Sequence, residues 1–142
     1  HIFLQAGVGG LAGAAAAMAR KLWGDVQVIV VVEPQHAPAL HGCIQAGDFV
    51  AAKGPGSAMG RLDCLEASLI ALKGLAKDAD VFALISEEEG QAGADYAAAH
   101  QMESTASGAA GLAALLASPA HRAALKLNAN SHVLVILSEG PE

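Results

Sequence analysis

The chain has 142 residues, a length that suits one domain built on one hydrophobic core. Hydrophobic residues make up 54% and charged residues 15%, with a mean hydropathy of +0.42, so intrinsic disorder is excluded. The net charge is -6 and the eight basic residues are scattered, which argues against a nucleic-acid partner. Aromatic residues are only 4%, as is typical of closely packed helix and strand layers. We therefore predict a single α/β domain over residues 1–142.

Cysteine usage and hydropathy indicate the compartment. Cys43 and Cys64 form no CxxC or Cys/His pattern, which favours free thiols in the cytoplasm over a disulfide or a metal site. The longest apolar run, residues 26–32, is far shorter than the roughly 18 residues that cross a bilayer, so no membrane segment is predicted. The sequence begins at His1 without a methionine or a charged leader, and we expect a part of a longer polypeptide without a signal peptide.

The first third of the sequence predicts a βαβ unit. A short apolar strand over residues 2–5 is followed by Gly7-Val8-Gly9-Gly10 and then by apolar residues at helical spacing up to Leu22. The continuous β-branched run of residues 26–32 is typical of a parallel strand that helices cover on both faces. We expect the connection between these strands to be right-handed.

Helical and strand patterns alternate along the rest of the chain. Residues 47–62 contain Gly54-Pro55-Gly56 and predict a loop, and apolar runs at residues 81–85 and 133–137 predict two more strands. Helical patterns cover residues 37–46, 66–77, 107–116 and 118–127. The expected fold is a three-layer α/β structure whose mostly parallel sheet of about four strands is flanked by helices.

A run of carboxylates follows the third predicted strand. Ser86 and the three glutamates after it fit a capping box, in which the Ser86 hydroxyl accepts from a backbone N–H one turn into the helix. Acidic side chains also suit the positive end of a helix. We interpret this run as a capped, solvated first turn rather than as a metal site.

The glycine turn after the first strand is the strongest local signal of a ligand. Glycine allows tight turning and exposes backbone N–H groups toward an anion at the start of a helix, so phosphate binding is the natural inference. A plain strand-to-helix turn without a ligand is the alternative.

Two specific interpretations of this turn remain open at the level of residues. In the first, Gly7, Gly9 and Ala12 satisfy the GxGxxA pattern of dinucleotide-binding folds, and Glu33 ends the second strand where an acidic residue would bind a ribose hydroxyl. The chain would then be a non-catalytic, NAD-binding Rossmann module.

The second interpretation depends on a resemblance that extends over almost the whole chain. Six segments in order resemble the C-terminal half of diaminopropionate ammonia-lyase, a fold-type-II pyridoxal phosphate enzyme related to tryptophan synthase β, threonine dehydratase and serine racemase. They are residues 1–13 (HIFLQAGVGGLAG), 30–34 (VVVEP), 59–68 (MGRLDCLEAS), 85–89 (ISEEE), 107–112 (SGAAGL) and 137–140 (LSEG).

The resemblance implies roles for particular residues. Ser138 falls where relatives place a hydroxyl beside the pyridine nitrogen, and Asp63 and Cys64 would lie on the substrate side; Ser138 could alternatively cap the turn before Pro141. Glu33 would have no nucleotide role. The residues that match the family loop for the cofactor's 5′-phosphate are Gly7, Val8, Gly9, Gly10 and Leu11.

The resemblance also implies what this chain lacks. In the family, the lysine that forms the Schiff base and the loop that grips the substrate carboxylate belong to the N-terminal half, so no catalytic residue and no metal ligand is assigned here. We expect all five lysines to be solvated. The chain alone would be inactive, and its partners would be that N-terminal half, an amino-acid substrate and a second copy in a homodimer.

The function implied is α,β-elimination of 2,3-diaminopropionate to pyruvate and ammonia, with pyridoxal 5′-phosphate as cofactor. A threonine or hydroxy-amino-acid dehydratase of the same superfamily is the first alternative, since the leaving-group contacts would come largely from the N-terminal half. The NAD-type module is the second.

Overall fold

Four parallel strands form the sheet in a computed structural model that describes residues 1–140. They are β1 (Ile2–Gln5), β2 (Ile29–Pro34), β3 (Val81–Ile85) and β4 (Leu134–Val135). Their order across the sheet is β3-β2-β1-β4. β1 pairs in parallel with β2, with Ile2 opposite Ile29, as the predicted βαβ unit requires.

Helices cover both faces of this sheet, which confirms the predicted three-layer α/β architecture. The helices are α1 (Gly10–Trp23), α2 (Ala39–Ala46), α3 (Leu69–Asp78), α4 (Glu87–Ala99) and α5 (Ala110–Ala117). One core lies between the sheet and α1, α2 and α3, and the other lies between the sheet and α5, against which α4 packs.

Successive side chains of the central strands enter opposite cores. Ile2 and Leu4 belong to the core beneath α1, whereas Phe3 belongs to the core beneath α5, and all three are almost fully buried. Burial on both faces is the reason why β1 and β2 appear as continuous apolar runs in the sequence.

The second strand begins later than its sequence predicts. Val26 is 86% exposed, because Gly24 ends α1 with a positive φ of 73° and the chain needs several residues to return to the sheet. Arg20 stabilises this connecting segment, since its Nη1 donates to the carbonyl of Gln27 at 3.1 Å. At its other end, β2 continues beyond the predicted residue 32 to Pro34, which pairs with Ile85.

The C-terminal elements are shorter than predicted. The helical pattern of residues 118–127 gives only a 3-10 turn, Ser118–His121, and Lys126 has a left-handed φ of 56° that ends helical geometry. The run of residues 133–137 forms only the two-residue β4, because the Ile136 carbonyl accepts from the side chain of Gln5 instead of from a strand.

The capping box at Ser86 is confirmed. The Ser86 hydroxyl accepts from the N–H of Glu89 at 3.2 Å, and the Glu89 carboxylate accepts from the N–H of Ser86 at 2.8 Å. Glu87 differs from the expected solvated carboxylate, because it accepts from the Ser57 hydroxyl at 2.7 Å and the Ala58 N–H at 3.1 Å. It thereby ties the long loop of residues 47–62 to the start of α4.

No helix within residues 1–140 is both long enough and apolar enough to cross a membrane.

Candidate functional site

The strand order creates a crevice at one edge of the sheet. The chain proceeds outward from β1 to β3 and then returns to place β4 on the other side of β1. In open parallel sheets, ligands bind outside the carboxyl ends of the two strands where the order reverses. The glycine turn follows β1 and Ser138 follows β4, so both lie at this edge.

The glycine turn presents the N-terminus of α1 to the crevice. Gly9 is the N-cap residue, with a left-handed φ of 99° and no side chain to occupy the helix end. The N–H groups of Gly10, Leu11 and Ala12 begin the helix and therefore have no acceptor within it. Together with the helix dipole they form an anion-binding site.

Steric limits around the turn show where a ligand has room. A Cβ at Gly7 would lie 2.9 Å from the Arg61 carbonyl oxygen, and a Cβ at Gly9 would lie 2.9 Å from Leu40 Cδ1. A Cβ at Gly10 would meet nothing within 4 Å. The turn is therefore packed tightly against protein on one side and open on the side of the free amides.

A cavity of about 310 Å³ joins the predicted cofactor-binding residues. This volume is within the usual range of small-molecule sites. Of the residues predicted from the sequence, its lining contains Gly7, Val8, Gly9, Gly10, Leu11, Cys64 and Ser138. It also contains residues that the sequence analysis missed, among them Gln5, Arg61, Ser107 and Glu139.

Ser138 lines the same cavity as the glycine turn. Its Oγ accepts a hydrogen bond from Gln5 Nε2 at 2.9 Å. Pro141, before which Ser138 could cap a turn, lies outside the described residues.

Of the two predicted substrate-side residues, Asp63 and Cys64, only Cys64 lines the cavity. The Asp63 carboxylate accepts from the Ser57 N–H at 2.9 Å and is not part of the cavity lining. Cys64 does line the cavity, and burial followed by the nearby Asp63 carboxylate raises the pKa of its thiol, which favours the neutral form. Their placement on the substrate side stays a prediction.

The missed polar residues form a network at the mouth of the cavity. Glu139 Oε2 accepts from the Thr105 hydroxyl at 2.5 Å, and Glu139 Oε1 lies 3.7 Å from Arg61 Nε. The Arg61 N–H in turn donates to the Ser107 hydroxyl at 3.3 Å. No local pattern marks these residues, because they come from separate parts of the chain.

The lysines are exposed, as predicted. None of them lines the cavity that contains the glycine turn. The five are Lys21, Lys53, Lys73, Lys77 and Lys126. Within residues 1–140, this chain therefore supplies no amine to a ligand in that cavity.

Glu33 has a structural role that removes the basis for a dinucleotide site. It is 1% exposed, and its two carboxylate oxygens accept from the N–H groups of Leu40 and His41, each at 2.7 Å. These N–H groups begin α2, so the carboxylate acts as a cap for that helix and is not available to a ribose.

Burial raises the pKa of Glu33 from 4.5 to about 7, although the two N–H donors oppose this shift. The folded state therefore binds this proton more tightly than the unfolded state. Its contribution to stability is fully present below pH 4.5 and is lost as the pH rises through 7. The raised pKa corresponds to about 3 kcal/mol across this window.

We accordingly expect the free energy of unfolding of the wild type to fall more steeply between pH 4.5 and pH 8 than that of Glu33→Gln. The variant keeps the shape of the side chain but cannot titrate. Urea denaturation at several pH values measures the difference between the two slopes. Parallel curves would show that Glu33 titrates at its ordinary pKa in the folded protein.

The free N–H groups at the start of α1, the adjoining cavity and the reversal in strand order are the features of an α/β protein with a small-molecule site at the edge of its sheet. Residues 1–139 match the sequence profile described as "Pyridoxal-phosphate dependent enzyme", and the chain belongs to this family. The cofactor is thus pyridoxal 5′-phosphate, whose phosphate suits the free N-terminus of α1. No curated protein sequence matches the chain.

Solved structures with the same fold include several amino-acid-converting enzymes. Diaminopropionate ammonia lyase from Escherichia coli, in complex with D-serine, is 26% identical with a TM-score of 0.85 over 99% of this chain and 38% of its own. Threonine deaminase from T.th. is 21% identical, with a TM-score of 0.84 over 99% of this chain and 49% of its own. L-serine ammonia-lyase from Rhizomucor miehei is 22% identical, with a TM-score of 0.85 over 99% and 45%. The chain spans less than half the length of each, and at 21% and 22% identity the likeness concerns the fold alone.

Proposed function

We propose that this chain is the C-terminal, cofactor-cradling part of a pyridoxal-phosphate-dependent ammonia-lyase that acts on 2,3-diaminopropionate. The reaction is an α,β-elimination that yields pyruvate and ammonia. The observation that carries the proposal is one cavity that is lined by both the glycine turn and Ser138.

Each part of this cavity has a function in the proposal. The amides of Gly10 and Leu11 bind the 5′-phosphate and hold it against the positive end of α1. Ser138 presents a hydroxyl to the pyridine nitrogen. A neutral hydroxyl does not force protonation of this nitrogen as a carboxylate would, which favours elimination over transamination. When bound, the cofactor supplies an electron sink for the charge that remains after the α-proton leaves.

The amine that anchors the cofactor comes, in this proposal, from outside this chain. The exposed lysines support this assignment, since none lies at the cavity. The partner is the lysine-bearing N-terminal half of the same enzyme, which would also bind the substrate carboxylate. Without it the chain would bind the cofactor phosphate but would not turn over substrate.

Assembly as a cytoplasmic homodimer is part of the same proposal. Leu11, Met18 and Leu22 on α1 are each half or more exposed, which supports burial of this surface against further polypeptide. Cys43 and Cys64 are free thiols, in keeping with a reducing compartment.

The choice of substrate is supported by the 26% identity to the diaminopropionate ammonia lyase structure and by the segments at residues 59–68 and 137–140. The competing assignment is a threonine or hydroxy-amino-acid dehydratase of the same family. The two differ in the leaving group, which is an amine in the first case and a hydroxyl in the second.

The test is a comparison of substrates with the enzyme that contains this chain and its lysine-bearing half. We expect kcat/KM for 2,3-diaminopropionate to exceed that for serine and threonine at least tenfold, about 1.4 kcal/mol in the transition state. Released pyruvate and ammonia are measured for 2,3-diaminopropionate and serine, and released 2-oxobutyrate is measured for threonine. A preference for threonine would overturn the substrate and leave the dehydratase assignment.

A further inference from the structure

A buried glutamine connects the two halves of the candidate site. Gln5 is the last residue of β1 and lies two residues before Gly7, where the glycine turn begins, yet it is only 3% exposed. Its Nε2 lies within hydrogen-bond distance of the Gly108 carbonyl at 3.0 Å, the Ile136 carbonyl at 2.9 Å and the Ser138 hydroxyl at 2.9 Å. One side chain thus contacts the segment after β4, the turn that follows it and the segment that leads into α5.

The acceptors fix which way the Gln5 amide faces. Backbone carbonyls only accept hydrogen bonds, so the NH₂ group must point at Gly108 and Ile136, and Oε1 must point away from them. Oε1 is buried without a hydrogen-bond partner, and a Cβ at Gly111 would lie 3.0 Å from it. The opposite amide orientation would place Oε1 against two carbonyl oxygens. It is less favourable, because these three oxygens would repel one another.

This orientation determines the polarity of the Ser138 hydroxyl. The two amide hydrogens are shared among three acceptors, and an amide nitrogen accepts no hydrogen bond, so the Ser138 hydroxyl cannot donate to Gln5 Nε2, which lies 2.9 Å from its Oγ. The hydroxyl hydrogen must then point away from Gln5. Because Ser138 lines the cavity, the free direction for this hydrogen includes the cavity itself.

We propose that Gln5 is a positioning residue that makes Ser138 a hydrogen-bond donor toward an aromatic nitrogen in the cavity, an inference that rests on the proposed function. Gln5 selects a ring nitrogen without a proton, since only such a nitrogen accepts a hydrogen bond.

The experiment compares two ligands that differ only at the ring nitrogen. Pyridoxine 5′-phosphate has this nitrogen, and its 1-deaza analogue has a C–H in its place; neither needs a lysine to bind. We expect the wild type to bind pyridoxine 5′-phosphate about tenfold more tightly than the analogue, the size of one hydrogen bond. Isothermal titration gives both dissociation constants.

Variants test whether this preference for the ring nitrogen depends on Gln5. In Gln5→Met and in Ser138→Ala the ratio should fall to near one, and the double variant should lose nothing further, because both changes act on the one hydroxyl that donates to the ring nitrogen. Leu75→Val, a core change in α3, controls for lost stability and should keep the ratio. A Gln5→Met protein that retains the tenfold preference would overturn the role of Gln5.

A measurement on the wild type covers the case in which Gln5→Met does not fold. The side-chain amide resonances of Gln5 should shift on addition of pyridoxine 5′-phosphate and shift less with the deaza analogue. Equal shifts would overturn the inference while leaving phosphate binding intact. Failure of both ligands to bind would instead overturn the proposed function together with the inference.

Discussion

Gly10→Asp will abolish binding of a phosphorylated pyridine while leaving the fold intact. The new carboxylate stands at the first residue of α1, where the free amides would otherwise face the phosphate. Two like charges a few ångströms apart at a protein surface repel by several kcal/mol, so we expect affinity for pyridoxine 5′-phosphate to fall at least ~100-fold. Isothermal titration in a phosphate-free buffer measures this loss.

The position allows binding to be separated from folding. A Cβ at Gly10 meets nothing within 4 Å, and an aspartate in the first turn of a helix is stabilising, so the melting temperature should hold or rise. Gly10→Ala is the matched control and should bind within a few-fold of the wild type. Gly9→Asp should also lose binding, but its φ of 99° and its contact with Leu40 would destabilise the fold as well. Unchanged affinity in Gly10→Asp would remove the glycine turn from the site.

Ser138→Asp is expected to change the protonation of a bound pyridine ring. A carboxylate within hydrogen-bond distance stabilises a protonated nitrogen and should raise the pKa of the bound ring by about 1–3 units. The pH dependence of the absorbance of bound pyridoxine 5′-phosphate reports this pKa directly. In the complete enzyme, the same change should lower elimination and favour reactions that use a protonated ring.

Two further variants separate charge from shape at this position. Ser138→Asn is similar in size to the aspartate but carries no charge, and it should leave the ring pKa near that in the wild type. Ser138→Ala should retain the cofactor and lower turnover. If the aspartate leaves the ring pKa unchanged, Ser138 does not face the nitrogen. Of the proposed site, only the phosphate-binding role of the glycine turn would then remain.

Local patterns were sufficient for the elements that short-range interactions control. The apolar run in β1 predicts its strand, because burial on both faces leaves no polar position inside it. β3 is also apolar throughout and is predicted in the same way, although only Ile85 of it is fully buried. The capping box at Ser86 is predicted for a similar reason, since both of its hydrogen bonds join residues three apart. The glycine turn indicated an anion site because glycines between a strand and a helix expose amides whatever surrounds them.

The ends of the elements were not predictable in this way. Val26 has the same β-branched character as the strand that follows, and only the return path from α1 leaves it exposed. β4 stops at Val135 because the next carbonyl binds a side chain 131 residues away. Such competition between a strand partner and a distant side chain has no signature in a local window.

The sequence by itself determined the layers of this protein and the place of its glycine turn, because hydrophobic periodicity and glycine geometry act over a few residues. The tertiary structure alone decided what each polar side chain does. Glu33, an apparent ribose ligand, is a cap for α2, and Gln5, an inconspicuous strand end, contacts Gly108 and Ser138 across separations of 103 and 133 residues. A hydrogen bond depends on where donor and acceptor meet in space, and for these pairs the folded sheet brings them together.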